Sequence, residues 1–181
     1  VVSATYGNLV LSNTDKTASD ALTVKGNLVL NKNITVAAGN MLTLTSGDSL
    51  NVTGDSAVIG TVKRTNTFAQ NKLYRFNSAH VGLALNETIS GGSLQLTMLP
   101  DSNVTNPSFT RYAKRYYAFS GSNLGTANLK GMSLTYADNE LQNGVNPAKL
   151  GVRDYNGSAW KKITNTGHVR SVDLANRAVT I

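Results

Sequence analysis

No cysteine occurs among the 181 residues, which excludes disulfides, thiolate metal ligands and cysteine nucleophiles together. Only three prolines are present, and charged residues make up 15% of the chain. Serine, threonine and asparagine are plentiful instead, so hydroxyls and amides wet the surface more than ion pairs do. No stretch approaches the roughly 20 apolar residues of a membrane helix, and no membrane span is expected. The start, Val1-Val2-Ser3-Ala4-Thr5, lacks a basic region and an apolar run, so the expectation is a mature, processed or excised segment.

Groups that could carry chemistry are equally scarce. His80 and His168 stand far apart, neither beside an acidic cluster, and no nucleophile elbow is present to build a Ser/His/Asp triad. The ten carboxylates are scattered. Asp15, Asp20, Asp48 and Asp55 fall in turns, where such residues serve backbone geometry, not as the paired acids a glycosidase needs. Asp138-Asn139-Glu140 offers hard oxygen ligands without the register of six to eight that calcium demands, and reads as a solvated loop. No catalytic residue, cofactor or metal ligand is assigned, and the expectation is a chain that is not an enzyme.

The formal charge of +7 invites a nucleic-acid reading, but binders of that class gather their cations on one face. Here only Lys63-Arg64, Arg111 to Arg115 and Lys161-Lys162 are locally dense, so no nucleic-acid partner is expected. Attraction to acidic polysaccharide or an anionic cell surface requires no such patch.

What the sequence does contain, first of all, is a repeat. Gly7-Asn8-Leu9-Val10-Leu11 returns nineteen residues later as Gly26-Asn27-Leu28-Val29-Leu30. Ala21-Leu22-Thr23-Val24 is answered by Met41-Leu42-Thr43-Leu44 at an offset of twenty. Within this frame lie the pairs Leu22/Val24, Leu28/Leu30, Ile34/Val36, Leu42/Leu44 and Leu50/Val52, each alternating apolar and polar like a strand with one buried face. Strands this short make poor hairpins but suit the rungs of a parallel solenoid with three strands per coil. An antiparallel meander is the plainer alternative. Such a solenoid exposes both ends, and an open parallel edge invites another chain; nothing caps the first coil, so a preceding segment or another subunit is expected there.

From about Lys63 the strands lengthen and carry aromatics. Candidates are Ala57 to Arg64, Lys72 to Phe76, Val81 to Leu85, Ser93 to Leu99, Phe109 to Phe119, Lys130 to Tyr136, Lys149 to Tyr155, Trp160 to Ile163 and Arg177 to Ile181. Asn156-Gly157 is a two-residue hairpin signal. No segment holds helical periodicity, and the spacing reads as an antiparallel sandwich. In the segment from Arg111 to Phe119, one strand face would carry Arg111, Ala113, Arg115, Tyr117 and Phe119, and the other Tyr112, Lys114, Tyr116 and Ala118. Tyrosines beside cations could stack on sugars or engage a partner, although such side chains also cover cores with their stems. Trp160, just after the hairpin signal, is open to the same two readings.

The order of motifs resembles a known pattern. The Gly-Asn-Leu repeat is followed by Val58-Ile59-Gly60-Thr61-Val62-Lys63-Arg64, then Tyr74-Arg75-Phe76, Thr110-Arg111-Tyr112 with Tyr116-Tyr117, Leu134-Thr135-Tyr136, and Asp154-Tyr155-Asn156-Gly157-Ser158-Ala159-Trp160. This looks like the repeat-plus-sandwich region of large secreted surface proteins of Bacteroidota and related phyla, adhesin-like and associated with type IX secretion. Two features depart from that pattern: Phe76 is followed by Asn77-Ser78 where the family has Pro and Gly, and the chain stops at Val179-Thr180-Ile181 where similar sandwiches continue into one more strand. The resemblance leaves two expectations: either the segment is cut short of that strand, or the sandwich lacks it and another subunit or the rest of the polypeptide completes the sheet by β-augmentation.

Together these readings predict an all-β chain: a short parallel β-solenoid of the β-helix or β-roll kind over residues 1–56, then an antiparallel β-sandwich over 57–181. The expected function is a structural or adhesive module of an extracellular bacterial surface assembly, such as a filament, a surface layer or a large adhesin. The expected partners are copies of itself or the rest of a larger polypeptide, with surface polysaccharide as a further one. Val179, Thr180 and Ile181 are the candidate assembly edge. Arg111, Tyr112, Lys114, Tyr116 and Trp160 are the candidate partner or glycan contacts. The alternative function is a carbohydrate-binding module using Tyr112, Tyr116, Tyr117 or Trp160.

Overall fold

The computed structural model describes residues 3–45, 50–52, 56–102, 110–155, 158–163 and 170–181. It is all-β, with two short 3-10 turns, Asp138–Glu140 and Pro147–Lys149, among the described residues.

The first part is built from three-residue strands: β1 (Ala4–Tyr6), β2 (Leu9–Leu11), β3 (Lys16–Ala18), β4 (Leu22–Val24), β5 (Leu28–Leu30), β6 (Ile34–Val36), β7 (Leu42–Leu44) and β8 (Leu50–Val52). They pair in parallel at intervals of about one repeat. β1 lies against β4 and β4 against β7; β2 lies against β5 and β5 against β8; β3 lies against β6. The alternation explains the arrangement. Leu22, Val24, Leu28, Leu30, Ile34, Leu42 and Leu44 are fully buried, while Thr23, Val29, Thr35 and Thr43 between them face outward. With one apolar face each, the strands bury it against one another.

The turn asparagines and aspartates do more than bend the chain. The Asn27 amide donates to Asn8 Oδ1 at 2.7 Å, the Asn33 amide to Asp15 Oδ1 at 3.0 Å, and the Ala57 amide to Asn33 Oδ1 at 2.9 Å. Each bond joins one repeat to the next at a corner where the ladder is interrupted. The Gly-Asn pair has its own reason. A Cβ at Gly26 would overlap Gly7 O and Asn8 Oδ1, so the close approach of the two corners requires glycine.

β9 (Val58–Phe68) joins this stack to the rest of the chain. Its start pairs in parallel with β6, its middle pairs in parallel with β7, and its length pairs antiparallel with β12 (Ile89–Pro100). The corner between its two parallel partners is Gly60, at φ +107° and with Val36 O only 2.6 Å from where a Cβ would stand. Asn77, fully buried, clamps the same corner: its Nδ2 donates to Val58 O at 2.7 Å and to Gly60 O at 2.9 Å. Two motifs singled out in the sequence meet beside it. Arg64, fully buried, donates from Nε to the Arg75 carbonyl and lies over the Phe76 ring, 5.7 Å from its centroid.

β12 in turn pairs with β13 (Arg115–Ser122), the last strand of this sheet among the described residues. A second, five-stranded sheet runs β10 (Tyr74–Arg75), β11 (Gly82–Leu85), β14 (Leu129–Thr135), β18 (Ala178–Thr180), β17 (Ser171–Asp173). β15 (Arg153–Tyr155) and β16 (Trp160–Lys162) form a separate two-stranded pair. A single apolar cluster runs from Leu11 in the parallel stack to Leu96 in β12 and Leu85 in β11.

Three expectations need correction. The segment from Phe109 to Phe119 is not one strand: β13 starts only at Arg115, because residues 112–114 instead bond to 140–142 through Lys114 N–H to Glu140 O and Gln142 N–H to Tyr112 O; Phe109 lies outside the described residues. Lys149 to Tyr155 opens with the proline-led 3-10 turn, leaving a strand only from Arg153. The expected assembly edge at Val179, Thr180 and Ile181 is interior. β18 has β14 on one side and β17 on the other, and Ile181 exchanges both backbone hydrogen bonds with Met132. The short strand β17 is not legible in the sequence, because Ser171-Val172-Asp173 offers one apolar residue and no alternation to read.

Candidate functional site

The register of β12 and β13 decides which side chains face inward. Leu94, Leu96 and Met98 lie opposite Gly121, Phe119 and Tyr117, and the first three are buried in the core. Residues opposite one another share a face, so Tyr117 and Phe119 also point between the sheets. Phe119 is nevertheless 38% exposed. Across the gap, Leu134 lies opposite Val179 and Met132 opposite Leu83, and Met132 and Leu134 are only half-buried. The two sheets are therefore splayed along β13, leaving a cleft of about 690 Å³ between them. β12 is the one strand neighbour of residues 117–122 among the described residues.

At the Arg115 end the cleft is closed by a polar knot. Glu140 is buried, with 1% of its surface exposed, and sits 2.8 Å from Arg115 Nε. The same carboxylate accepts from the Ala137 amide at 2.8 Å and the Asp101 amide at 3.3 Å. Arg115 also donates to Thr135 Oγ1 at 3.1 Å, and Tyr117 donates to Thr135 O at 3.0 Å while accepting from its amide. Burial pushes the Tyr117 hydroxyl pKa up, opposed by the neighbouring Arg115 charge. For Arg115, burial would lower the pKa, but Tyr117 and Glu140 outweigh it and hold the guanidinium charged. The knot fixes the Arg115 end of β13 against the second sheet.

Asp138-Asn139-Glu140, read from sequence as a solvated loop, is exposed at Asp138 and Asn139 but buried at Glu140. Glu140 serves Arg115, and Asp138 Oδ2 lies 2.8 Å from Arg177 Nε. Among the described residues no group of three or more His, Asp or Glu gathers in the way a metal site would. His80 lies beside Ser133, whose hydroxyl donates to the His80 carbonyl at 2.6 Å; His168 lies outside the described residues.

Of the residues proposed from sequence as contacts, Arg111, Tyr112 and Tyr116 line the cleft. Arg111 is exposed and the two tyrosines are half-buried. Lys114 is not among the lining residues; its amide is tied to Glu140 and its carbonyl accepts from Ser102. Trp160 belongs to β16, but its side chain lies outside the described residues, as do Asn156-Gly157. Sequence reasoning missed Phe119, Met132 and Leu134 as cleft walls, and Lys149 and Arg153 as its exposed cations. Alternation groups Phe119 with Tyr117 on one face without saying which face is inward, and the splay that uncovers it has no counterpart in alternation. The cleft's exposed cations are Arg111, Lys149, Arg153 and Arg170, with Asp154 as the carboxylate among its described lining residues.

No protein-family model matches this chain, and no curated protein or solved structure matches it significantly.

Proposed function

We propose that the chain is a structural or adhesive module of an extracellular bacterial surface assembly, working through its β-edges and through completion of an unfinished sheet. On this reading the parallel ladders form a short β-solenoid, and the two splayed sheets form an antiparallel β-sandwich open along one side. The observation that carries it is Phe119: an aromatic ring on the core-facing side of a terminal strand, left 38% exposed. A terminal strand presents a row of backbone groups that another strand can satisfy, and the apolar wall beside it would be covered by that strand's inward side chains. The location of the open edge moves from β18 to β13. The extracellular setting rests on the motif order and on a surface wetted by amides and hydroxyls.

Analytical ultracentrifugation and electron microscopy of the native material test the reading. Concentration-dependent association or fibres, abolished by Thr or Lys at Phe119, would support it. A monomer at micromolar concentration whose β13 amides already resist exchange would overturn it. A second reading, carbohydrate binding, is favoured by Arg111, Tyr112 and Tyr116 sharing one cleft; saturable binding on a glycan array that is lost in Tyr112→Ala would select it.

A further inference from the structure

The cleft has a chemical polarity along its length, and this specifies what can fill it. Its middle is apolar on both sides, with Leu96 and Phe119 facing Leu83, Met132 and Leu134. Its cations collect at one end. Arg111 precedes β13 by a few residues, and Lys149 and Arg153 flank Leu150 and Val152, which pack with Ala113 just before that strand. All three cations are exposed, and Arg170, also exposed and lining the cleft, donates to the Lys149 and Leu150 carbonyls beside them. Among the described lining residues they face the one carboxylate of Asp154, in a chain whose formal charge is +7.

We infer that the cleft takes an extended peptide strand with apolar side chains at alternate positions and a cluster of acidic residues at the end lying beside Arg111, Lys149 and Arg153. The inference rests on the sheet-completion reading and adds the partner's chemistry to it. Three observations select this occupant. The strand β13, eight residues long, has β12 alone beside residues 117–122 among the described residues, and the main chain of a peptide satisfies such an edge whereas an acyl chain or a flat sugar does not. A cleft of about 690 Å³ falls within the roughly 300–1,000 Å³ of sites that enclose a ligand, and strands of five or six residues are the common length. Charge complementarity fixes the end that carries the acids and favours them over a basic or neutral segment. A second copy of this basic chain brings no such cluster, since its ten acidic residues are dispersed.

The test uses the full chain and synthetic ten-residue peptides of alternating valine and threonine, with three glutamates, three glutamines or three lysines placed at either end. Hydrogen exchange across residues 117–122 and titration calorimetry report binding. A glutamate peptide should slow those amides by about tenfold or more, bind more weakly as salt rises, and lose affinity in the Lys149→Glu, Arg153→Glu double variant, whose unaltered circular dichroism shows that it is folded. Equal binding of the glutamine peptide would overturn the charge assignment while leaving sheet completion in place. Protection that appears without any peptide and grows with protein concentration would make a second copy the occupant, again overturning the inference alone. No protection under any of these conditions would sink both.

Discussion

Glu140 is the residue on which the geometry of the cleft depends most. Its carboxylate holds Arg115 and two backbone amides at once, so replacing it strands a guanidinium that is only 13% exposed. Breaking such a pair by removing one partner costs about 3–5 kcal/mol. Glu140→Ala should therefore lower the urea midpoint clearly, and it should also loosen β13, with faster exchange at Tyr117 than in the parallel stack. Asp173 makes a prediction in pH. Its carboxylate accepts from the Asn176 amide at 3.0 Å and from Asn176 Nδ2 at 2.7 Å, and these bonds hold its pKa below the usual carboxylate value. A depressed folded pKa means the stabilisation is present above the unfolded value of about 3.9 and is lost as pH falls through the folded one. The β17–β18 turn should loosen in acid in the wild type, and Asp173→Asn should flatten that dependence when the Ser171 and Asp173 amides are followed by NMR. Neither role was legible in sequence. Glu140 sits in a run that reads as polar loop, and only tertiary contact with Arg115, distant in the chain, turns it into a buried anchor.

Among the elements, β9 shows what alternation can and cannot reveal. Val58, Gly60, Val62 and Arg64 alternate inward as a strand should, and the short pairs before it, Leu22/Val24 through Leu42/Leu44, were legible because parallel ladders need nothing beyond a repeated apolar face. The bend at Gly60 was not legible, because glycine in a strand signals a bulge or a close approach without saying which. Here it is the close approach, in a left-handed backbone: φ is +107° and Val36 O crowds the missing Cβ. Gly60→Ala should cost about 2 kcal/mol or more, since strained backbone alone costs of order 1–3 kcal/mol, and it should do so in thermal melts without changing far-UV circular dichroism at low temperature. Asn77→Leu should act at the same corner by leaving the Val58 and Gly60 carbonyls without their side-chain donor, at about 1–3 kcal/mol for each buried group left unsatisfied. The interior place of β18 is illegible for a related reason. The end of a sequence carries no information about which strand ends a sheet; only pairing with β17, whose pattern is weak, moved it inside.

For the molecule as a whole, the exposed ring of Phe119 separates stability from association. Since it is already partly in water, Phe119→Lys should change the monomer's denaturant midpoint little, on the order of 1 kcal/mol, yet should abolish any assembly that completes the sheet at β13. A large loss of stability with association intact would place the interface elsewhere. The same division explains what composition could foretell: scarce charge and abundant hydroxyls and amides describe a β surface, while the splay between sheets arises from the balance of contacts along β13. A last consequence follows from β9, which pairs with β6, β7 and β12 in a single uninterrupted run. There is no joint there. A pull applied to the repeats passes along one polypeptide backbone flanked on both sides by hydrogen bonds loaded in shear, so the two regions should stretch and rupture together, as a rod does, in single-molecule force spectroscopy.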